Sequence, residues 1–285
     1  LKKRLESLLI NYKNRADIDL SMFYHPKTEA EIVSLRDYLE SRKIEKVEDG
    51  LDGWIRMVAT NRLTGHSAGF FSVYTLPPNQ AIAPDRQKKI NIERNQTPPY
   101  RDIRKIIFKK SSNLTKDIDE ITKERLAGVA KQARFLTLEA GNTHSIKDCS
   151  VQLTVTSPPF LDVVQYAQDN WLRCWFNNIN VNQVEKKITM AKNIKDWTKI
   201  MSGVFKELYR ITKKDGWVAF EVGEVRNGKI NLDEYIVPLG EENGFECRGV
   251  LINEQHFTKT ANIWGVKNNG KGTNTNRIVI FYKNL

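Results

Sequence analysis

The segment that most constrains the fold is the run VQLTVT at positions 151–156, followed directly by Ser157-Pro158-Pro159-Phe160. β-Branched and apolar residues favour a strand. Each proline removes a ladder donor and fixes φ, so two consecutive prolines are incompatible with a strand interior. The strand is therefore predicted to end at Thr156. Residues 157–160 are predicted to form a stiff loop that has few N–H donors and carries an aromatic ring.

The chain beyond about residue 130 alternates between strand and helix patterns. A strong helix pattern at 197–213 precedes the third strand candidate, and a second pattern at 233–244 precedes the fourth. Apolar strands separated by helices favour a largely parallel sheet with helices on both faces. Ligands of such sheets bind at the carboxyl ends of the strands, where loop 157–160 is expected. The five strand candidates are 134–141, 151–156, 216–225, 245–252 and 277–283.

The first part of the chain has helix patterns separated by proline-rich loops. Apolar residues recur at helical spacing in 28–43 and 53–63, and 84–96 is predicted to form a basic helix. Thr28 and Glu31 have the spacing of a capping box after Pro26.

The charge of the chain is strongly basic. It has 45 Lys and Arg against 34 Asp and Glu, a formal net charge of +11. Residues 84–110 alone hold nine basic and three acidic residues, a local excess of six positive charges. Such a balance is typical of a protein that binds a polyanion. A solvated helix face remains the alternative for this run.

Cysteine, histidine and hydropathy patterns narrow the class of protein. Cys149, Cys174 and Cys247 form no CxxC pair, which favours a reducing compartment, the cytoplasm, over a disulfide framework or structural zinc. The four histidines show no metal-ligand spacing, so we expect no metal. No run approaches the roughly 18 apolar residues of a membrane span, so we expect no membrane partner.

The motif Thr-Ser-Pro-Pro-Phe at a strand end resembles the catalytic motif of S-adenosylmethionine-dependent DNA amino methyltransferases, (Ser/Asp/Asn)-Pro-Pro-(Tyr/Phe). Residues 69–81, 94–103 and 162–176 also resemble segments of bacterial methylases that modify cytosine N4 or adenine N6. The resemblance implies an α/β fold with a Rossmann-like methyltransferase sheet. This chain would hold the last five of its seven strands, mostly parallel with an antiparallel end strand, plus a helical, loop-rich target-recognition insert.

The resemblance implies a catalytic role for Ser157, Pro158, Pro159 and Phe160. The Ser157 side chain and the Pro158 carbonyl would accept hydrogen bonds from the exocyclic amine of a nucleobase, because that amine is a poor nucleophile while its lone pair is delocalised. Phe160 would stack on the base after it has been rotated out of the duplex. The chain has no Pro-Cys pair, so cysteine-dependent C5 methylation is not expected. Ser157 in the first position favours cytosine N4; adenine N6 or an RNA base remains open.

A second copy of the pattern, TPPY at 97–100, is interpreted differently. The residues before it are polar and cannot form a buried strand. We expect TPPY to be a loop of the DNA-facing region.

Methyl-donor binding is the least complete part of the resemblance. The family holds S-adenosylmethionine with a Gly-rich loop after its first strand, which this sequence lacks in any order. The sequence begins with Leu rather than Met, and we expect that a preceding segment or a second chain supplies the loop. Asn142 stands where the family usually has Asp, although an amide oxygen can still accept a hydrogen bond. Residues expected to contact the donor are Glu139, Gly141, Asn142, Thr156, Glu221 and Gly223.

The expected organisation has three parts. Residues 1–44 are predicted to be a helical segment of the catalytic domain, 45–130 the target-recognition insert that binds duplex DNA, and 131–285 the catalytic domain. In the insert, Arg would read guanine, Asn and Gln would read adenine, and Lys would contact phosphate. A purely structural cap is the alternative for this insert. The candidate DNA contacts are Arg62, His66, Asn79, Gln80, Arg86, Lys88, Lys89, Asn95, Gln96 and Arg101.

Two broad functions follow. The first is a bacterial, nucleoid-associated DNA methyltransferase, cytosine N4 before adenine N6, belonging to a restriction-modification system. The second is a DNA-recognition subunit that is catalytically incomplete without a partner chain, and the missing donor loop favours it.

Overall fold

The computed structural model describes most of the chain. The contacts of the chain divide it into two units. The helical unit comprises residues 1–133 and 166–188, and the sheet unit comprises 134–165 and 189–285. The described residues are 1–75, 81–159, 161, 166–188, 191, 193–225, 229–254 and 275–284.

The helical unit is built from helices of very different length. The helices predicted over 28–43, 53–63 and 84–96 are confirmed as the second, third and fourth. The helices are α1 (Lys2–Glu6), α2 (Pro26–Ile44), α3 (Gly50–Thr60), α4 (Pro84–Glu93), α5 (Ile103–Thr115), α6 (Glu120–Ala130), α7 (Tyr166–Phe176) and α8 (Val181–Lys187).

The start of α2 differs from the predicted capping box. The His25 side chain accepts a hydrogen bond from the Lys27 N–H and is the N-cap. Thr28 and Glu31 are buried and bind a distant segment instead. The Thr28 hydroxyl donates to the Arg101 carbonyl, and Glu31 Oε2 accepts from the Ile103 N–H. Tertiary contacts therefore override the local capping pattern.

The core of the helical unit joins residues that the sequence placed in different domains. Phe23, Ile32 and Leu39 belong to one buried cluster with Ile55 and Ile107. The contact division therefore assigns 1–44 to the same unit as the predicted insert, and not to the unit that holds the sheet. Residues 166–188 belong to this unit as well.

The sheet unit contains an α/β fold. Its strands are β1 (Val151–Thr156), β2 (Thr212–Val225), β3 (Ile230–Asn231), β4 (Glu246–Glu254) and β5 (Thr275–Tyr282), with α9 (Ile194–Ile211) before β2 and α10 (Asp233–Glu242) before β4. The main strand order is β1-β2-β5-β4, and the short β3 pairs with β2. β1 is parallel to β2, while β5 is antiparallel to both β2 and β4.

The strand directions confirm a mostly parallel sheet whose last strand is antiparallel to its neighbours. Because β5 runs against both of its neighbours, β1, β2 and β4 all point the same way. The last strand is not at the border of the sheet but lies between β2 and β4.

The strand predicted over 134–141 is wrong. Residues 134–139 have no regular structure, and the Phe135 side chain is 97% exposed. A strand needs a neighbour that completes its ladder. Within the described residues β1 pairs only with β2, and 134–141 pairs with no strand. An apolar run alone is therefore not enough to form a strand here.

Helices α9 and α10 cover the same face of the sheet. The Phe205 ring of α9 lies 5.0 Å from the Phe220 ring of β2 and 5.3 Å from the Phe281 ring of β5. Gly240 of α10 also packs against Phe281.

The opposite face differs from the predicted arrangement, which had helices on both sides. Leu153, Val155 and Leu251 are 58%, 74% and 62% exposed. In the part of the chain that the structure describes, this face is apolar and largely uncovered.

The last feature of the fold is the hydropathy of its helices. No helix among the described residues is long and apolar enough to cross a membrane.

Candidate active site

The Ser-Pro-Pro corner lies where the sequence predicts it, at the carboxyl end of a strand. Thr156 is the last residue of β1 and pairs with Phe220 of the parallel strand β2. Residues 157–159 then leave the sheet without regular structure. Ser157 is exposed, and the two prolines are half-buried. The corner therefore meets solvent at the sheet edge that binds ligands in α/β folds.

Two oxygen acceptors of this corner have no partner in the described part of the chain. Within the described residues, neither the Ser157 hydroxyl nor the Pro158 carbonyl has an intramolecular hydrogen-bond partner. Prolines have no N–H group that could compete for these oxygens. A ligand that carries two N–H donors could therefore bind here without displacing a protein contact.

A third oxygen of the corner is held from the core. The Pro159 carbonyl accepts a hydrogen bond of 2.9 Å from the indole Nε1–H of Trp197. Trp197 lies in the first turn of α9 and is 1% exposed. The corner is therefore anchored to a buried side chain.

Three of the predicted donor-site residues lie at this same edge. Thr156 pairs with Phe220, so Glu221 is the next residue along β2, and Gly223 follows near the end of that strand. The Glu221 side chain is partly exposed. The structure thus places Thr156, Glu221 and Gly223 toward the same carboxyl edge of the sheet from which Ser157 leaves.

The structure shows a polar cluster at the carboxyl end of β2 that the sequence did not predict. The Thr275 hydroxyl donates to Glu224 Oε2 at 2.7 Å, and Arg277 Nη1 lies 3.0 Å from Asp233 Oδ2. Glu224 and Asp233 are buried. Their partners are 51 and 44 residues away in sequence, so local spacing gave no signal. These contacts tie the start of β5 to the end of β2 and the start of α10.

The other three predicted donor residues lie elsewhere. The Asn142 N–H donates to the Glu139 carbonyl in a turn, and Gly141 packs against the backbone of Gly203 in α9. The following residue, Thr143, donates to Glu207 Oε1 through its N–H at 2.6 Å.

Helix geometry separates this turn from the corner. Glu207 is ten residues after Trp197 in α9, or about 15 Å along the helix axis at about 1.5 Å per residue. The turn thus lies toward the end of α9 that enters the amino end of β2. The structure does not bring Glu139, Gly141 and Asn142 together with Ser157. Their placement follows from the failure of 134–141 to form a strand.

The carboxylate that holds this turn is strongly stabilised in its charged form. Hydrogen bonds from Arg210, then from Thr143, lower the pKa of Glu207 to about 2. Arg210 Nη2 lies 2.6 Å from Glu207 Oε1, and the guanidinium also pairs with Asp148. This arrangement fixes residues 143–148 on α9.

The predicted DNA contacts belong to the helical unit and fall into two groups. Arg86, Lys88 and Lys89 are exposed on α4, as are His66 and Asn95 in the flanking loops. Lys88 Nζ lies 3.6 Å from Asp19 Oδ2, a solvent-exposed pair that is easily exchanged for another anion.

The second group makes internal contacts. Arg101 Nη1 donates to the carbonyls of Ser67 and Phe70 at 2.7 Å each, and the Arg62 guanidinium lies over the Phe70 ring at 4.0 Å. Burial lowers the pKa of both arginines. The Gln96 amide donates to the Tyr74 carbonyl at 3.0 Å. These three side chains hold loop 65–75 in place and are less available to a base than the lysines of α4.

Three predicted site residues, Phe160, Asn79 and Gln80, lie outside the described residues. The TPPY segment at 97–100 is described, and it follows α4 rather than a strand. The Tyr100 hydroxyl donates to Glu31 Oε1 at 2.8 Å, and burial raises the pKa of Tyr100. TPPY is therefore a loop that does not follow a strand, as predicted, and its place in a DNA-facing region stays a prediction.

Metal-binding clusters are absent from the described part of the chain. No group of three or more His, Cys, Asp or Glu side chains there is arranged to hold a metal ion.

Comparisons with known proteins find weak structural likenesses. A candidate DNA modification methylase from Thermus thermophilus has 19% identity and a TM-score of 0.34, covering 52% of this chain and 53% of that one. Its complex with S-adenosyl-L-methionine gives 20% identity, a TM-score of 0.32 and coverages of 52% and 51%. A SAM-dependent methyltransferase from Methanosarcina mazei gives 13% identity, a TM-score of 0.30 and coverages of 59% and 80%.

These likenesses do not identify a family or an activity. The chain spans about half the length of the Thermus proteins it matches. No family model matches the chain. No curated protein matches it either.

The described residues fit a methyl donor only in part. Thr156 and Glu221 offer a hydroxyl and a carboxylate at the sheet edge, whereas Gly223 is buried and its carbonyl accepts a hydrogen bond of 3.2 Å from the Leu232 N–H. A Gly-rich turn that leads from a strand into a helix is not found among the described residues. A complete donor pocket would need groups beyond these three.

Proposed function

We propose that the chain is a DNA methyltransferase that transfers a methyl group from S-adenosylmethionine to the exocyclic amine of a flipped base. Cytosine N4 is the preferred target, and a restriction-modification system is the proposed setting. The observation that carries the proposal is the Ser157-Pro158-Pro159 corner at the carboxyl end of β1, because the exposed Ser157 hydroxyl and the Pro158 carbonyl have no hydrogen-bond partner among the described residues.

The chemistry that suits this corner is activation of an amine. The lone pair of an exocyclic amine is delocalised into the ring, which makes the nitrogen planar and weakly nucleophilic. Hydrogen bonds from its two N–H groups to Ser157 Oγ and the Pro158 carbonyl would draw the nitrogen toward tetrahedral geometry. Acceptors that are fixed before the substrate arrives need no reorganisation during the reaction.

The methyl donor supplies an electrophilic methyl group on a sulfonium when it is bound. Thr156, Glu221 and Gly223 are the residues we propose to contact it. The idea that a second chain or a preceding segment completes the donor site with a Gly-rich loop stays a prediction.

DNA binding is proposed for the exposed basic side chains of α4 and the residues next to it. Arg86, Lys88 and Lys89 would meet phosphates, and their contribution should weaken with salt as counterions compete. His66 and Asn95 are proposed to lie near the base edges. Arg62, Gln96 and Arg101 would act indirectly by supporting loop 65–75.

The test is a product analysis. The purified chain, with any polypeptide that co-purifies, is incubated with duplex DNA and S-adenosylmethionine labelled in its methyl group. Digestion to nucleosides and mass spectrometry should reveal labelled N4-methylcytosine. Labelled N6-methyladenine would support the methyltransferase but refute the cytosine assignment. Absence of label from DNA and RNA across random-sequence substrates would refute the enzymatic proposal.

A second candidate function is a DNA-recognition subunit without its own catalysis. It is favoured by the division of the chain, because the basic helices belong to a unit with its own hydrophobic core. Salt-sensitive binding to duplex DNA, without methyl transfer by the chain alone or with co-purified partners, would support this candidate. Transfer by the chain alone would exclude it.

A further inference from the structure

Trp197 supplies the N–H that fixes the corner to the core. An extended loop is normally tied to its neighbours by its own N–H groups, and neither Pro158 nor Pro159 has one. The two prolines can therefore be held only through their carbonyls and their ring contacts. The one bond of this kind among the described residues joins the Pro159 carbonyl to Trp197 Nε1 at 2.9 Å.

The donor is itself rigidly placed. The indole is 1% exposed and belongs to the buried cluster that contains Leu161 and Met201. The Asn193 side chain caps the start of α9 by accepting from the Asp196 N–H at 2.9 Å. The backbone N–H of Trp197 donates to the Asn193 carbonyl at 3.2 Å. Helix start, core and indole therefore form one rigid support.

Anchoring the Pro159 carbonyl also orients the oxygen before it. The ring of Pro159 fixes its φ near about −65°. Once the peptide group after Pro159 is held by Trp197, ψ of Pro159 is the one backbone torsion left that changes the direction of the peptide group before it. The oxygen of that preceding group is the Pro158 carbonyl, one of the two acceptors of the corner that have no partner among the described residues.

We propose that Trp197 is a positioning residue that sets the direction of the Pro158 carbonyl toward the reacting amine. This inference rests on the proposed function. An indole Nε1–H is a donor only and cannot itself accept a proton from the amine. The role of Trp197 is therefore to hold the acceptor in place, and it does not touch the substrate.

The experiment replaces Trp197 by Phe, which keeps an aromatic ring but removes the N–H. The matched control is Trp217→Phe. Trp217 lies on β2, is 38% exposed and has its ring centred 4.8 Å from the tilted Tyr282 ring, with no indole hydrogen bond among the described residues. We expect Trp197→Phe to lower kcat by about 10–100-fold through misplacement of the acceptor, with KM for DNA within twofold of wild type. Trp217→Phe should leave both parameters near wild type.

Equal effects of the two substitutions, or a change confined to KM, would overturn the proposal. A second measurement tests the Trp197–Pro159 bond directly. It needs neither a folded Trp197→Phe variant nor any methyl transfer by the chain. Hydrogen exchange of the indole N–H groups of the wild-type chain is followed by NMR. The indole N–H of Trp197 should exchange far more slowly than the indole N–H of Trp217, whether or not the chain transfers methyl groups. Comparable exchange of the two would refute the anchoring of Pro159 whatever the enzymatic result.

Discussion

Alanine substitutions at two helix glycines should change stability in opposite directions. Gly240 in α10 and Gly203 in α9 both lie in helices that cover the same sheet face. Replacing a glycine inside a helix by alanine normally stabilises by about 0.5–1 kcal/mol, because alanine loses less backbone entropy on folding. The surroundings decide whether that gain is realised.

At Gly240 the added methyl group has no room. A Cβ there would lie 2.1 Å from Cε1 and 2.4 Å from Cζ of Phe281. The Phe281 ring is buried, with the rings of Phe205 and Phe245 centred 5.3 and 5.8 Å away. The ring would have to move by about 1 Å within a packed core, so the cost should be near the upper end of the usual overpacking range, about 3 kcal/mol. After the helix gain of about 1 kcal/mol, a net loss of about 2 kcal/mol remains.

At Gly203 the added methyl group meets no atom within 4 Å. The full helix gain of about 0.5–1 kcal/mol is therefore expected. Urea unfolding of both variants is measured by hydrogen exchange of peptides from β2 and β5, which reports on the sheet unit. With a slope of about 2 kcal/mol per M, Gly240→Ala should unfold at about 1 M less urea than wild type. A Gly240→Ala variant as stable as wild type would refute the packing of α10 on Phe281.

Three further predictions concern charged side chains. Glu207→Gln should destabilise the sheet unit by about 1–2 kcal/mol at pH 7, since Arg210 is partly exposed and water screens the pair. The folded-state pKa of Glu207 is lowered to about 2 from 4.5, so its charge stabilises the fold above pH 4.5 and ceases to do so as pH falls through about 2. Thermal midpoints of wild type and variant should converge between these pH values; a gap that persists at pH 2 would contradict the role of the charge. Arg101→Ala should lower stability by about 1–3 kcal/mol and expose loop 65–75 to protease, because two carbonyls lose their charged donor. Lys89→Ala should leave stability within about 0.5 kcal/mol and reduce the slope of log affinity for DNA against log salt by about 1; the reverse pattern would mean that Arg101, and not Lys89, contacts DNA.

The parts of the fold that the sequence predicts correctly are those encoded locally. Strand β1 has the predicted bounds because the prolines at 158 and 159 end it abruptly. Helix α9 has a strong amphipathic repeat and begins three residues earlier than predicted, at Ile194. The reversed last strand was expected from the resemblance, whereas its place between β2 and β4 depends on pairing that periodicity cannot reveal.

The errors arise where a distant partner decides the outcome. The apolar run 134–141 has a strand pattern, but no neighbouring strand in the described chain completes its ladder, and it remains irregular. As a result, three of the predicted donor residues, Glu139, Gly141 and Asn142, do not lie beside Ser157. The capping box at Thr28 fails for the same kind of reason, since Thr28 bonds Arg101, 73 residues away.

The sequence predicted that Ser157, Pro158 and Pro159 follow the end of a strand. It did not predict the side chains that hold this corner in place. The Ser157 corner is visible in four consecutive letters of sequence. Trp197 gave no signal, because a buried tryptophan at helical spacing indicates only core packing. The ion pair of Asp233 with Arg277 was hidden by the 44 residues between them.

Serines at the two ends of β1 offer the sharpest test of the proposed amine activation. Ser157 follows the carboxyl end, where its hydroxyl is exposed and without a partner in the described chain; Ser150 precedes the amino end, where its hydroxyl donates to the Lys147 carbonyl. The measurement is the single-turnover rate of methyl transfer to duplex DNA by wild type, Ser157→Ala and Ser150→Ala. We expect Ser157→Ala to slow the chemical step by about 100-fold or more at unchanged DNA affinity, while Ser150→Ala stays near wild type. A Ser157→Ala variant that transfers methyl groups at the wild-type rate would show that this corner does not activate the amine.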